Sequence, residues 1–184
     1  MTTQPGSAAT DGWVRLALDV PGFRAENFAP VIQRCQHAGV EITSLADLGD
    51  NPQNRRALYE LNRQCSADIP GRGPFYSFDE YVQERLDVPS FTPAGVVVAL
   101  KGGAWVGMSA TSDHREAGYM FNEMTGVTAD ERRTGLALAM KVTGIAWVRS
   151  CGVDTIRTVH HAGNHRAIAM NRRLGYRDAD WDPS

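Results

Sequence analysis

Val127-Thr128-Ala129-Asp130-Glu131-Arg132-Arg133-Thr134-Gly135-Leu136-Ala137 is the stretch on which the reading of this chain turns. It follows an alternating run over 119–127 and leads into a long apolar segment from 134 to about 149, which predicts strand, tight turn and helix. A helix N-terminus leaves its first N–H groups without intrahelical partners, and the macrodipole adds partial positive charge there. Arg132 and Arg133 are poor company for that positive end unless an anion sits among them, and phosphate is the usual biological anion in such a place. Gly135 removes a Cβ from the point of approach, and Ala137 keeps the next turn narrow. A plainer reading of the same residues is a helix start, because Thr128-x-x-Glu131 has the spacing of a capping box. The two arginines favour the anion.

Outward from this turn, residues 94–100 and 104–111 flank Lys101-Gly102-Gly103 and predict a β-hairpin. Residues 155–160 predict a strand, and Asn164 stands where the last helix begins, an ordinary N-cap. Towards the N-terminus, Ser77 with Glu80 predicts a capping box on a helix of about a dozen residues. Residues 68–75 are too rich in glycine and proline for a helix, while Asn51-Pro52 opens one whose stripe is Leu58, Leu61 and Cys65. Residues 40–45 predict a strand. Before it, residues 13–19 alternate with Val14, Leu16 and Leu18 on one side, and 25–37 carry Phe28, Val31, Ile32 and Cys35 at helical spacing. The order predicts an α/β (α+β) class, a mixed sheet covered by helices, with an extra N-terminal strand and helix. Residues 1–11 are small and polar and read as a disordered lead-in; 12–184 read as one domain, with 12–39 as its extension.

The chain has 184 residues, enough for one sizeable core, with 42% hydrophobic and 22% charged residues. A formal charge of -2 and the lack of a basic run argue against a nucleic-acid partner. The aliphatic run 96–100 is far too short to span a bilayer. Cys35, Cys65 and Cys151 are odd in number and widely spaced, which predicts neither a disulfide framework nor a zinc site and suits a cytoplasmic protein. The histidines do not fall at metal-ligand spacing, so no metal is expected.

The spacing Arg132-x-x-Gly135-x-Ala137, with Val127 five residues ahead, does not stand alone. Asn164, Ala167, Asn171 and Leu174-Gly175-Tyr176 follow it, and together they resemble the GNAT superfamily of N-acetyltransferases over residues 94–176, more loosely over 40–91. The resemblance implies a GNAT-like, largely antiparallel sheet and acetyl-coenzyme A as co-substrate. It implies that the loop at Arg132, Arg133, Thr134, Gly135, Leu136, Ala137 and Leu138 holds the pyrophosphate, mostly by amides. It further implies that Thr125, Gly126 and Val127 run along the pantetheine arm, with Asn164 and Asn171 nearby. The function it implies is acetyl transfer to a primary amine of a small molecule by direct attack; a peptide or protein acceptor, or a coenzyme A-binding module without catalysis, are the alternatives. A homodimer is compatible with it.

Three residues are candidates for the chemistry. Glu123 lies on the strand before the turn, where several GNAT members use a carboxylate as base; an edge carboxylate at a wet rim is its plainer role. A histidine in water titrates near neutrality, so His160 is a second candidate base, or a solvated loop residue. Asn171 lies within the apolar stripe of Ala167, Met170 and Leu174, where many members carry a tyrosine that protonates the departing sulfur. An asparagine cannot do that, so it is expected to orient a water or the pantetheine. The glutamate that the ribosomal-protein branch places five residues before the helix asparagine is Val159 here. One more departure concerns the sheet. Only residues 177–184 follow Tyr176, enough for one short strand where the family usually has two. The spare strand at 13–19 is expected to fill the gap, from the same chain or from a partner copy.

Overall fold

The computed structural model describes residues 12–67, 69 and 73–181; the lead-in read at 1–11 lies outside them. Seven strands, β1 (Trp13–Asp19), β2 (Val40–Ser44), β3 (Val96–Lys101), β4 (Ala104–His114), β5 (Tyr119–Val127), β6 (Thr155–His161) and β7 (Arg177–Asp178), form one sheet in the order β2-β3-β4-β5-β6-β1-β7. Every neighbouring pair is antiparallel except β5–β6, which is parallel. The helices are α1 (Ala29–His37), α2 (Leu45–Leu48), α3 (Pro52–Ser66), α4 (Phe78–Tyr81), α5 (Leu136–Ser150) and α6 (His165–Arg173).

Three clusters of buried side chains lie against the sheet, and two of them are the larger. One joins Leu16, Leu18, Met120 and Ile156 of the strands to Val31 of α1 and Leu138, Val142 and Ile145 of α5. The other joins Val96, Val98 and Met108 to Leu58 and Leu61 of α3 and Tyr81 of α4. The strand-period and helix-period stripes of the sequence end up facing each other across these layers.

β1 joins the sheet from the same chain. It pairs with β6 along its full length, from Trp13 opposite His161 to Asp19 opposite Thr155, and its other edge takes β7 at Leu16 and Ala17. The alternation explains why: Leu16 and Leu18 are buried in the core while their neighbours are less so.

Some boundaries differ from the sequence expectation for local reasons. The helix read over 25–37 is a 3₁₀ turn at Ala25–Phe28 followed by α1, because Pro30 has no N–H to give to Glu26. The helix capped by Ser77 forms its capping box with Glu80 but runs only to Leu86, its second half (Val82–Leu86) as a π-helical turn. α5 begins at Leu136 and not at Thr134, since Arg133 and Gly135 both take left-handed φ, 65° and 93°.

Two departures from regular pairing shape the sheet's centre. β5 and β6 pair only at Met120–Ile156 and Phe121–Arg157, so the strands part beyond that point and leave a wedge. Thr158 Oγ1 donates to the Asn122 carbonyl (2.9 Å) at the wedge's apex. On the other side of β5, the register with β4 jumps from Met124–Ala110 to Asn122–Thr111, which leaves Glu123 as the extra residue of a β-bulge.

Candidate active site

The turn that opens α5 is tied together by its own side chains. Thr134 Oγ1 donates to the Glu131 carbonyl (2.7 Å) and accepts from the Leu136 N–H (3.3 Å). The expected capping box does not form. Thr128 makes no side-chain cap, and the Glu131 carboxylate, nearly buried, pairs with Lys101 Nζ at 2.7 Å. Arg133 is the one non-glycine among the described residues with positive φ, a conformation that costs a side-chain-bearing residue about 1–2 kcal/mol. Such strain persists where the surroundings impose it, and it is concentrated at ligand sites.

A cavity of about 320 Å³ opens at this turn, and Arg34 of α1, Arg133, and Arg173 of α6 reach it from three elements, with Val127, Ala137 and Met170 among its walls. Beside it are the first-turn N–H groups of α5, which have no acceptor within the helix. The cradle suits a polyanion such as a pyrophosphate. Arg34 and Arg173 had no motif to betray them, because their place depends on how α1 and α6 pack. Arg132, Thr125, Gly126 and Asn164 do not line this cavity. Thr125 pairs its hydroxyl with Ser109 (2.9 Å), and Asn164 caps α6 by accepting from the Ala167 N–H (3.3 Å).

Gly135 has a different reason from the one its spacing suggested. A Cβ there would lie 2.4 Å from Val31 Cγ2, so this glycine lets α1 pack on the turn as well as supplying the positive φ. Gly126 does the same on β5, where a Cβ would meet the Cys65 Cβ of α3 at 2.5 Å. Substituting either glycine would disturb packing before it reported on a ligand.

At the apex of the wedge sits a buried polar cluster. Asn171, fully buried, places its Nδ2 2.6 Å from His160 Nε2, and its Oδ1 has no partner. Whichever way the amide is turned, one of its two polar atoms is left over, at a cost of about 1–3 kcal/mol. Burial, followed by the nearby charge of Lys141, pushes His160 down to about 4, so the ring is neutral at pH 7. Lys141 itself lies inside the apolar run of α5 and is buried. Its Nζ donates to Asn122 Oδ1 and sits 5.3 Å from the Tyr176 ring centroid. Asn122 in turn donates to the Ala110 carbonyl (3.1 Å), which bridges the bulge from behind.

Burial pushes the Lys141 amine down to about 7. An unfolded lysine keeps its proton to about 10.4, so between these values the unfolded chain binds more protons and stability rises with pH. Urea unfolding from pH 7 to 10 should show a rise of roughly 1 kcal/mol per pH unit. Lys141→Met, with nothing to titrate there, should lose that rise; parallel curves would assign it to another group.

On the α3 side of the sheet a smaller cavity, about 170 Å³, is walled by Leu58, Asn62, Tyr81, Phe91 and Met124 and carries Glu123. Glu123 Oε1 accepts from Ser112 Oγ (2.7 Å), and Oε2 pairs with Arg85 Nη2 (2.9 Å). Arg85 comes from the π-helical turn, a distortion often found at functional sites. The structure thus puts Glu123 in this pocket and His160 with Asn171 at the wedge. Among the described residues no group of acids, cysteines and histidines could hold a metal ion, and no helix is long and apolar enough to cross a membrane.

Known proteins resemble this chain in sequence and in fold. The chain is 30% identical over 131 residues to the mycothiol acetyltransferase of Thermobispora bispora, an alignment covering 67% of this chain and 43% of that protein. It spans less than half the length of the curated relatives it matches. In fold it is similar to a GCN5-related N-acetyltransferase from Sphaerobacter thermophilus (TM-score 0.64, 20% identity, 91% of this chain and 48% of that one). It is also similar to the ribosomal-protein-S18-alanine N-acetyltransferase of Escherichia coli (TM-score 0.60, 19% identity, 77% and 79%). The family model "Acetyltransferase (GNAT) family" matches residues 55–176, which takes in α3, the bulged strand, the arginine turn and the Asn171 helix. A family model that covers this much of the chain decides its membership: the chain belongs to the acetyltransferase (GNAT) family.

Proposed function

We propose that the chain transfers an acetyl group from acetyl-coenzyme A to a primary amine of a small molecule by direct attack. The observation that carries this reading is the position of bulged Glu123, in a small pocket on a strand whose end leads to the anion cradle. The residues fit the coenzyme: Arg34, Arg133 and Arg173 would hold its phosphates, with help from the α5 amides, and the β5 edge freed by the wedge would face its pantetheine arm. When bound, it supplies an activated acyl thioester. The chain's own tasks are then to orient the amine, to take its proton at a Glu123 carboxylate oxygen, and to offer backbone N–H groups near the bulge to a developing oxyanion. His160, neutral at pH 7, and Asn171 hold each other at the apex of the wedge. The likeness to a mycothiol acetyltransferase supports a small-molecule acceptor.

The test has two parts, a panel of small amines with thiol release as readout, and calorimetry of coenzyme A. Arg133→Glu should weaken coenzyme A binding at least tenfold, about 1.4 kcal/mol. Arg133→Gly should also weaken it while relieving the positive φ, so its melting temperature should stay near that of the wild type. Unchanged affinity in both folded variants would remove the anion cradle from the account, and a panel without turnover would remove the transferase activity.

A further inference from the structure

The bulge gives the pocket on the α3 side of the sheet its character. In a regular strand Glu123 and Met124 would point to opposite faces, yet with Glu123 as the extra residue both line this pocket. A carboxylate therefore stands beside apolar walls, which are Leu58, Leu86, Phe91, Val96, Ala110 and Met124. The space between them is about 170 Å³. An apolar cavity of about 150 Å³ is already large enough to take up benzene.

The polar side chains of the pocket are occupied. Asn62 accepts from Ser66 Oγ (3.0 Å) and donates to Tyr81 Oη (3.0 Å), and Ser112 gives its proton to Glu123 (2.7 Å). Among the described residues, no buried side-chain nitrogen or oxygen of this pocket lacks a partner. A sugar or polyol brought in would leave its water partners and find few here, whereas an apolar body would exchange water for matching walls. Charge is gathered in one place: Glu84 and Arg85 are consecutive, and Arg85 pairs with Glu123 at 2.9 Å. Two carboxylates against one guanidinium favour an ammonium. Ser112 and Arg85 each take one oxygen of Glu123, and each oxygen has a second lone pair, so the carboxylate can still accept from an amine.

We propose that the acceptor is a primary amine with an apolar body about the size of a phenyl ring, seated between Leu58, Phe91, Val96 and Met124 with its nitrogen at Glu123. The inference rests on the reading of Glu123 as the base. Thiol release by the full chain, with saturating acetyl-coenzyme A, tests it on four amines. The kcat/KM for phenethylamine and for isopentylamine should exceed those for ethanolamine and glucosamine at least tenfold. Ala110→Leu puts extra carbons into the pocket and should cut the ratio of phenethylamine to ethanolamine at least fivefold, with coenzyme A affinity unchanged. Phe91→Ala widens the pocket and should move the preference toward the bulkier naphthylethylamine, so a misfolded Ala110→Leu does not end the test. A wild type that prefers ethanolamine or glucosamine, or acetylates all four alike, overturns the apolar acceptor and leaves the transferase standing. A preference that no folded variant alters places the amine's body elsewhere and overturns it too. If no amine is acetylated, the proposed function falls and takes the acceptor class with it.

Discussion

Deletion of residues 1–39 is expected to leave a chain without a cooperative unfolding transition. β1 lies between β6 and β7, so its loss leaves seven residues of β6 without their ladder partners and strands β7 altogether. Leu16, Leu18, Val20, Phe23 and Val31 go with it, all buried in the cluster against α5. At about 1.5–3 kcal/mol for each large apolar side chain, their burial alone is comparable to the whole stability of a domain, about 5–15 kcal/mol. Arg149 would also lose the Val20 and Phe23 carbonyls, each 2.6 Å from its Nη2. Urea and thermal unfolding followed by circular dichroism check this. A single substitution grades the effect: Leu16→Ala, at a site with no exposure, should cost about 2–5 kcal/mol. A deletion variant that melts with the midpoint of the full chain would mean that β1 covers the sheet without supporting it.

That β1 is a half-buried strand was legible because its alternation puts Val14, Leu16 and Leu18 on one side, with no strand partner near it in sequence. The arginine turn was readable for a similar reason, since its chemistry comes from consecutive residues. What stayed hidden depends on register and packing. The bulge at Glu123 exists only relative to β4, and nothing in Asn122-Glu123-Met124 announces it. Arg34 and Arg173 reach the cradle from helices that the motif does not mention. Ser112 carried no motif, and its hydrogen bond to Glu123 needed the β4–β5 register. Lys141 did leave a signal, a single charge inside the apolar run of α5, and helix periodicity alone could not say that it pointed inward. Gly135 shows the opposite limit, because its place in the turn was legible while its positive φ and its closeness to Val31 were not.

The largest effect on chemistry is expected from Glu123→Gln. The amine must be deprotonated before it attacks, and few groups of the site could take that proton. His160 is held near 4 by burial and by the charge of Lys141, so a proton on it at pH 7 is costly, and its Nε2 is engaged with Asn171. Asn171 has no proton to trade. Glu123 is in the pocket, partly exposed, and held by Ser112 and Arg85. The glutamine keeps the shape and can still accept from Ser112, while the lost ion pair with Arg85 is at the rim and worth about 0–1 kcal/mol, so the fold should survive. On a verified acceptor, kcat/KM at pH 7 should fall about 100- to 1,000-fold, with coenzyme A affinity unchanged. The deficit should shrink as pH approaches the acceptor's own pKa, because solution then delivers the amine already neutral and the missing base matters less. A variant that keeps the wild-type rate at pH 7 would show that the proton leaves by another group. One whose deficit is the same at every pH would mean that Glu123 positions the amine and does not deprotonate it.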